Sequence, residues 1–456
     1  MATAFLDRRF RLAERGSSLR VEALGGLSTF LTMSYILFVN PAILSAAGLP
    51  FGAVAVATAL AAALMTAAMG LLTNYPFALA SGLGLNAVVA FELIIGRKLP
   101  WPVGMAAVVI EGLLALVLVL AGFREAVMRA IPTSLKLAIG VGIGLFITLV
   151  GLREGGIVVN DEATGIGLAD LTAGPPLIAL AGILVAGVLA ARAVRGSLLA
   201  GIATSALLGV IFGVLDGPDG VAAVPGSAGF QTIGDSLALD NLGDALAVAL
   251  IPLIFALFMT DFFDTLGTVV GVGSSAGLLD ERDELPNMRR VLMVDSAAAA
   301  VGGAMGVSSV TTYIESGAGV SEGARTGLAS LVTAGLFLLA VLFVPLIALV
   351  GGDVKYGEAF IHPAVAPALV LVGFLMIRLV PAIEWDKPEF ALPAFFIIAG
   401  VPLTFSIAAG IGFGVLAFVA VMVVQGRARQ VHPIMYALVP LFVAFFAADW
   451  LSANVF

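Results

Sequence analysis

The sequence predicts an all-α polytopic membrane protein made of two inverted halves, and three observations predict it. The 456-residue chain is 61% hydrophobic and only 11% charged, whereas a typical soluble domain has about 25% charged residues. Its apolar runs are long enough for a helix of roughly 20 residues to cross the hydrocarbon core of a bilayer. Two of these runs are interrupted by glycine and polar residues at matching positions of the two halves.

The apolar runs give the predicted membrane segments in order. They are 25–47, 53–72, 103–121, 135–150, 176–190, 198–215, 246–258 and beyond, 291–307, 328–350, 364–380 and 390–424. The last run is too long for one span, and Pro402 and the glycines of 410–414 are compatible with two. The stretch 434–450 is a candidate for one more, which gives 14 or 15 segments when interrupted ones are counted.

Charge placement predicts the orientation. The first 20 residues mix acidic and basic side chains and lack the apolar core of a signal peptide, so we expect a solvated, amphipathic cytoplasmic segment. Lys and Arg concentrate in cytoplasmic loops, and Arg97 and Lys98 are the exceptions to the resulting pattern. We therefore expect a multi-pass protein of the cell membrane with a cytoplasmic N-terminus. The basic residues that then lie inside are Arg8, Arg9, Arg11, Arg15, Arg20, Arg124, Arg129, Lys136, Arg192, Arg195, Arg282, Arg289 and Arg290.

The acidic loop 216–244 divides the chain almost in half. Seven segments fit before it, and an odd number inverts the second half relative to the first. The third segment of the first half, 75–96, is interrupted by glycines, Ser81 and Asn86. The third segment of the second half contains SSVTTYIESGAGVSEGARTG, residues 308–327. Paired broken segments indicate an inverted-repeat transporter whose site lies where the breaks meet.

Few polar residues fall at membrane depth, so each is a candidate for function. Asn86 lies in one break and Glu315 in the other, while Asp261 and Asp264 share a helical face at i, i+3. A carboxylate at that depth costs about 2.5–3.5 kcal/mol on insertion scales. Structural roles remain open: Asn86 could bond the broken backbone, Glu315 could cap a helix, and a cap or loop position is favoured for Asp261. The isolated acids Glu92 and Glu111 fit polar packing as well as function.

Several classes of function are excluded or disfavoured. The chain has no cysteine and only two histidines, so thiol chemistry, a metal site and a cofactor are not expected. No nucleophile–base pair for a membrane enzyme, no repeated filter motif of a channel and no nucleic-acid signature is present. Tyr313, Phe262 and Phe263 could stack on a flat ligand or pack in a core, and Gly84 permits close backbone approach.

Four motifs carry a resemblance to a known family. They are SYILFVNPAILSAAGLP (34–50), SGLGLNAVVAF (81–91), DFFDTLGTVVGV (261–272) and the stretch 308–327 quoted above. In this order they resemble the AzgA-like purine permeases of the nucleobase–cation symporter-2 (nucleobase/ascorbate transporter) superfamily. The resemblance extends from about residue 20 to about residue 424.

The resemblance implies a seven-plus-seven transmembrane inverted repeat with core and gate domains. Segments 3 and 10 would each carry a short β-strand that leads into a half-helix. The implied division is an N-terminal cytoplasmic segment at 1–21, a core domain at 22–122 and 245–350, a gate domain at 123–215 and 351–456, and an external loop at 216–244. Whether the gate domains form a homodimer stays open.

The resemblance also implies the activity, proton symport of hypoxanthine, guanine or adenine. By motif, Glu315 is the acid of segment 10, Asp264 the acid of segment 8 and Asn86 the asparagine of segment 3; the proton would be carried by Asp264 or Glu315. Thr268 stands where related uracil carriers have histidine, and Ala80 and Ser81 replace the usual Pro-Gly start of the segment-3 motif. The expected substrate-binding residues are Asn86, Asp264, Glu315, Thr268, Ser316, Gly84, Phe263 and Tyr313.

A carrier of the same fold for xanthine, uracil or a small inorganic anion is the alternative. An anion carrier would favour neutral or basic groups at the half-helix starts, where the helix dipoles already attract anions. The two acids at the expected site therefore disfavour it.

Overall fold

The structure is a computed structural model of the chain. It describes residues 7–122, 131–161, 164–194, 196–218, 220–247, 250–278, 280, 285–352, 354–357 and 359–454. Four of the basic residues used to predict orientation lie outside the described residues, namely Arg124, Arg129, Arg195 and Arg282.

The described residues of the first half form mainly helices, with three short strands. Its helices are α1 Leu19–Met33, α2 Ile36–Ser45, α3 Phe51–Thr73, α4 Leu83–Ala87, which continues as a π-helix over Val88–Gly96, α5 Trp101–Leu120, α6 Thr133–Glu154, α7 Gly174–Ala191 and α8 Ser197–Ile211. Its strands are β1 Leu79–Ser81, β2 Val158–Val159 and β3 Gly167–Leu168, of which β2 and β3 form a small hairpin.

The second half begins inside the predicted external loop, which contains the short helix α9 Leu239–Ala245. The remaining helices are α10 Ile251–Ser275, α11 Met288–Ala304, α12 Ser316–Ser321, α13 Gly327–Ala340, α14 Val344–Val350, α15 Ala366–Ile377, α16 Pro388–Thr404, α17 Ile407–Val424 and α18 Pro433–Asn454. The strands are β4 Val310–Thr312, β5 Val354–Tyr356 and β6 Ala359–Ile361.

The long run 390–424 forms two helices, α16 and α17. The break lies at Phe405, whose φ of 53° is left-handed, and at Ser406, whose side chain caps α17 by accepting from the Ala409 N–H. Pro402 lies inside α16 and does not end it. The stretch 434–450 lies within a further helix, α18.

Helix length and composition agree with the predicted membrane location. Among the described residues, seven helical stretches are long and apolar enough to cross a membrane, and six shorter apolar helices accompany them. The long ones are Leu19–Ser45, Phe51–Thr73, Trp101–Leu120, Thr133–Glu154, Gly174–Ala191, Gly327–Val350 and Ile407–Val424.

The two predicted breaks meet in the interior of the protein. Strand β1 pairs antiparallel with β4, in the register Leu79 with Thr312, Ala80 with Thr311 and Ser81 with Val310. All six residues are buried. Extended backbone at membrane depth must have its hydrogen bonds satisfied by protein, and here each strand satisfies the other.

We call the paired strands β1 and β4 the strand crossing. Glycines let the elements around it approach closely. A Cβ placed on Gly327 of α13 would lie 2.0 Å from the Gly70 carbonyl oxygen of α3. On Gly319 of α12 it would lie 2.4 Å from Thr29 Oγ1 of α1. Such small-residue contacts are the usual means of close helix packing in membranes, and they hold the crossing in a dense helical frame.

The N-terminal segment, for which a solvated, amphipathic character was expected, packs in part against this frame. Phe10 and Leu12 are buried. The Arg15 guanidinium donates to the carbonyls of Asn74 (2.7 Å) and Arg325 (2.9 Å) and lies over the Tyr75 ring. Apolar side chains of the segment thus cover protein, while Arg15 binds backbone carbonyls.

Candidate functional site

The strand crossing places two helix starts side by side. Beyond the paired strands, the Tyr313 N–H donates to the Ala78 carbonyl and the Gly82 N–H to the Ser309 carbonyl, both at 2.9 Å. The Ser316 hydroxyl accepts from the Ala78 N–H at 3.0 Å. Ser316 therefore joins the start of α12 to the strand of the other half, and it is fully buried.

Glu315 lies between β4 and α12 and keeps part of its side chain accessible to solvent. Its carboxylate does not cap α12. Instead, Oε1 accepts a hydrogen bond of 2.6 Å from the Tyr35 hydroxyl. Because an ionised carboxylate can accept about four hydrogen bonds, this contact orients the group and leaves acceptor capacity for a ligand.

Asp264 faces an accessible surface from the middle of α10. Its side chain is exposed, although Asp261 and Thr265 on the same helix are buried. It lies close enough to interact electrostatically with Glu315. The two acids predicted for the site are thus brought together from segments 8 and 10.

Asp261 departs from the interpretation favoured by the sequence. A cap or a loop position was expected, but Asp261 lies inside α10 and is only 2% exposed. The i, i+3 spacing places it beside Asp264 without giving both the same environment. One of the two carboxyls is accessible, and the other lies in the protein interior.

Asn86 is buried behind the crossing, with no exposed surface. The Ser81 hydroxyl lies 2.8 Å from Asn86 Oδ1 and also contacts the Val307 carbonyl. The Tyr313 hydroxyl donates to the Ser81 carbonyl. Asn86 is therefore bound to the Ser81 hydroxyl and Tyr313 to the Ser81 carbonyl, and among the described residues Asn86 Nδ2 has no hydrogen-bond partner.

The other predicted substrate-binding residues have varied surroundings. Gly84 packs against α6, since a Cβ there would lie 2.9 Å from Ile143 Cγ2. Thr268 is buried on α10. The side chain of Phe263 lies outside what the structure describes.

Two residues next to the site were not singled out from the sequence. Tyr35, the partner of Glu315, lies in the SYILFVN motif, where it could be taken for an ordinary core aromatic. Asp295 of α11 accepts hydrogen bonds from Thr265 Oγ1 (2.5 Å), the Thr312 N–H (2.9 Å) and Thr312 Oγ1 (2.7 Å). The available signal was that Asp295 is the one charged residue in the apolar run 291–307.

Glu92 has a structural role. From the π-helix it accepts from the Ser406 hydroxyl at 2.6 Å and from the N–H groups of Ile407 (3.1 Å) and Ala408 (3.4 Å). These N–H groups start α17 and have no partner within that helix. A carboxylate at this end is also favoured by the helix dipole, so Glu92 joins segment 3 to α17.

The chemistry available at the site is hydrogen bonding to a neutral or cationic ligand. The accessible carboxyls of Glu315 and Asp264 supply acceptors, and the Tyr35 hydroxyl is bound to Glu315. Within the described ranges, no group of three His, Asp or Glu side chains is arranged to hold a metal ion.

Comparison with known proteins shows the family of the chain. The sequence profile of a protein family, described as "Permease family", matches residues 20–410. The chain belongs to this family. It is 41% identical to the guanine/hypoxanthine permease PbuG of Bacillus subtilis, with 96% of this chain and 98% of that protein covered. It is 37% identical to the adenine permease AdeP of Escherichia coli, with coverage of 96% and 95%.

A third relative confirms the resemblance to the AzgA-like purine permeases. The nucleobase transporter PlAzg2 of Paenibacillus larvae is 33% identical, with 88% of this permease and 77% of that protein covered.

Solved structures confirm the predicted fold class. The transmembrane domain of the cyanobacterial bicarbonate transporter BicA matches with a TM-score of 0.59 and 17% identity, over 86% of this permease and 97% of that chain. The murine anion transporter Slc26a9 matches with a TM-score of 0.56 and 14% identity, over 89% and 69%. The permease therefore has the inverted-repeat fold of these transporters.

Proposed function

We propose that this permease imports purine nucleobases, hypoxanthine, guanine or adenine, by proton symport. The base would lie between Glu315, Asp264 and the half-helix of segment 3. Alternating access would come from movement of a core domain, 22–122 and 245–350, against a gate domain, 123–215 and 351–456. The protein would act in the cell membrane, with its N-terminus in the cytoplasm.

The observation that carries the proposal is the accessible Glu315–Asp264 pair beside the strand crossing. A purine presents ring N–H groups next to ring nitrogen and carbonyl acceptors. A carboxylate accepts from two such donors at once when it is well oriented, and the Tyr35 hydroxyl orients Glu315. The sequence relatives named for guanine, hypoxanthine and adenine support the same substrate class.

The two carboxyls also support the choice between substrates. A small inorganic anion would meet two acidic groups at close range, and like charges there oppose binding. A neutral nucleobase meets acceptors that match its donors. The similarity to BicA and Slc26a9 extends to fold, whereas the acids in this site favour the purine over the anion.

Uptake of labelled hypoxanthine in cells that lack their own purine uptake tests the proposal. The cells express this chain, and the competitors are guanine, adenine, xanthine, uracil and sulfate, each with and without a protonophore. We expect saturable uptake that purines block and the protonophore abolishes. Transport inhibited by sulfate or uracil and not by purines, from protein shown to reach the membrane, would contradict the proposal.

A further inference from the structure

Three buried carboxyls lie together behind the strand crossing, outside the site described above. They are Glu111 of α5, Asp261 of α10 and Asp295 of α11, which are 0%, 2% and 3% exposed. Each of Glu111 and Asp261 lies close enough to the other two to interact electrostatically. We name these three residues the acid cluster.

The members of the acid cluster differ in their hydrogen bonding. Asp295 accepts from hydroxyl and N–H groups of Thr265 and Thr312 and so has the surroundings of an ionised carboxylate. Among the described residues, both carboxyl oxygens of Glu111 and Oδ1 of Asp261 are buried without a hydrogen-bond partner. An ionised carboxylate in that position has a large solvation cost, and a neighbouring negative charge increases it.

A proton relieves this cost better than a metal ion does. Helices α5 and α11 touch backbone to backbone, since a Cβ on Gly112 would lie 2.3 Å from the Ala300 nitrogen. The cluster does not provide the ligand arrangement of a metal site within the described residues. A proton needs no such space, and it converts one carboxylate into a neutral hydrogen-bond donor.

The other charged groups on the elements packed around Glu111 are accounted for. On α10 the nearest is Asp264, whose side chain is exposed, and on the π-helix Glu92 is bound to the start of α17. The remaining ones are exposed, at the start of α11 and beside α9: Arg289, Arg290, Asp235, Asp240 and Asp244.

We propose that the Glu111–Asp261 pair holds the coupled proton of the transport cycle, at a position separate from the purine. The proposal rests on the proposed function for the meaning of coupling, but the adjacent buried carboxyls, with both oxygens of Glu111 and Oδ1 of Asp261 lacking a hydrogen-bond partner among the described residues, stand without it. The chemical class of the ligand is H⁺, bound as a carboxylic O–H on one member of the pair.

An accessible carboxyl lies on the same helix as Asp261. Asp261 interacts electrostatically with Asp264 of the next helical turn, whose side chain is exposed. A proton arriving from water on Asp264 would pass to Asp261 or Glu111 and return by the same route after the site opens to the other side. One O–H bond is broken and one formed at each transfer, so no other reactant is needed.

The cluster is also connected to the purine site. Asp295 binds Thr312 of β4, and only Tyr313 and Ile314 separate Thr312 from Glu315 along the chain. Protonation beside Asp295 therefore acts on the strand that positions the ligand carboxylate. By linkage, base binding and proton binding must then change each other's affinity by the same factor.

Infrared spectroscopy of the full-length protein in lipid nanodiscs tests proton binding directly. The measured signal is the carbonyl-stretching band of protonated carboxylic acids at neutral pH, in wild type, Glu111→Gln, Asp261→Asn and the exposed control Asp240→Asn. We expect a band component present in wild type and Asp240→Asn, and missing in Glu111→Gln, in Asp261→Asn or in both. The two variants are independent, so failure of one to fold leaves the other.

Hypoxanthine binding to the same four proteins, from mildly acidic to mildly alkaline pH, tests coupling. We expect the wild-type and Asp240→Asn Kd to change at least about fivefold with pH and the Glu111→Gln Kd to stay constant. An unchanged infrared band in both cluster variants would overturn the proposal, as would full pH dependence in both. If wild type binds no purine, the proposed function fails, while the infrared result still decides whether the pair holds a proton.

Discussion

The two broken segments, 75–96 and 308–327, share a backbone plan and differ in chemistry. In both, a three-residue strand leads within a few residues into a helix, and the strands pair with each other. In the first, the polar side chain, Asn86, is fully buried and bonded to Ser81. In the second, the carboxylate of Glu315 precedes a six-residue helix and remains partly accessible. The two broken segments thus share a paired-strand frame, and of the two polar side chains compared only Glu315 is accessible.

Replacing Glu315 in the second broken segment, 308–327, has the largest expected effect. Glu315→Ala removes the oriented acceptor, and hydrogen bonds to a charged group contribute about 1.5–3 kcal/mol each. For a paired contact we expect the hypoxanthine Kd to rise about 100-fold or more, measured by calorimetry on purified protein. Tyr35→Phe, which leaves the carboxylate but frees its orientation, should show a smaller increase. Wild-type affinity in Glu315→Ala would refute the site.

Neutralising Asp264 separates binding from transport. Asp264→Asn keeps the size of the side chain on an accessible surface, so the fold should be retained. We expect loss of pH-driven hypoxanthine accumulation in proteoliposomes while the protein elutes as a single species of unchanged size. Accumulation equal to wild type across an imposed pH gradient would show that Asp264 does not couple or carry the proton.

Two glycines in the second broken segment, two residues apart, test how closely this segment packs against its neighbours. In Gly319→Ala the new methyl would lie 2.4 Å from Thr29 Oγ1, whereas at Gly317 nothing lies within 4 Å. We expect Gly319→Ala to destabilise the protein by about 1–3 kcal/mol and Gly317→Ala by less than about 0.5 kcal/mol. Thermal unfolding in detergent measures both, and equal losses would show that α12 is not held against α1.

Asn86→Ala tests the first broken segment, 75–96, and has the smallest expected effect. It removes a buried hydrogen bond to Ser81, whose net contribution is about 1 kcal/mol. We expect a corresponding loss of stability and a smaller rise in hypoxanthine Kd than in Glu315→Ala. If Asn86→Ala instead weakens hypoxanthine binding as strongly as Glu315→Ala does, at unchanged stability, the two broken segments contribute equally to binding. The proposed difference between them is then wrong.

The position of the breaks could be predicted from the sequence because glycine and polar residues interrupt apolar runs. Gly82, Ser81 and Asn86 mark one, and Gly317 and Gly319 mark the other. The short strands β1 and β4 were implied by the family resemblance alone, since strands of three residues have no periodicity of their own, and their pairing with each other was not predicted. The break at Phe405 could not be placed from sequence, because a non-glycine residue adopts the left-handed conformation there.

The site could be predicted only in part, for reasons of distance along the chain. Glu315 and Asp264 were found because carboxylates are rare at membrane depth. The contact of Tyr35 with Glu315 joins residues 280 positions apart, and no local pattern specifies it. Asp261 was misplaced for a related reason. Periodicity puts it on the same face as Asp264 but cannot tell which of the two reaches an accessible surface.

A structure of the protein with hypoxanthine bound, determined by cryo-electron microscopy at saturating ligand, tests the central claim most directly. We predict a planar density beside the strand crossing, with one ring edge within hydrogen-bond distance of the Glu315 carboxylate and close to Asp264. Ordered hypoxanthine elsewhere in the protein, with Glu315 still bonded only to Tyr35, would contradict the account.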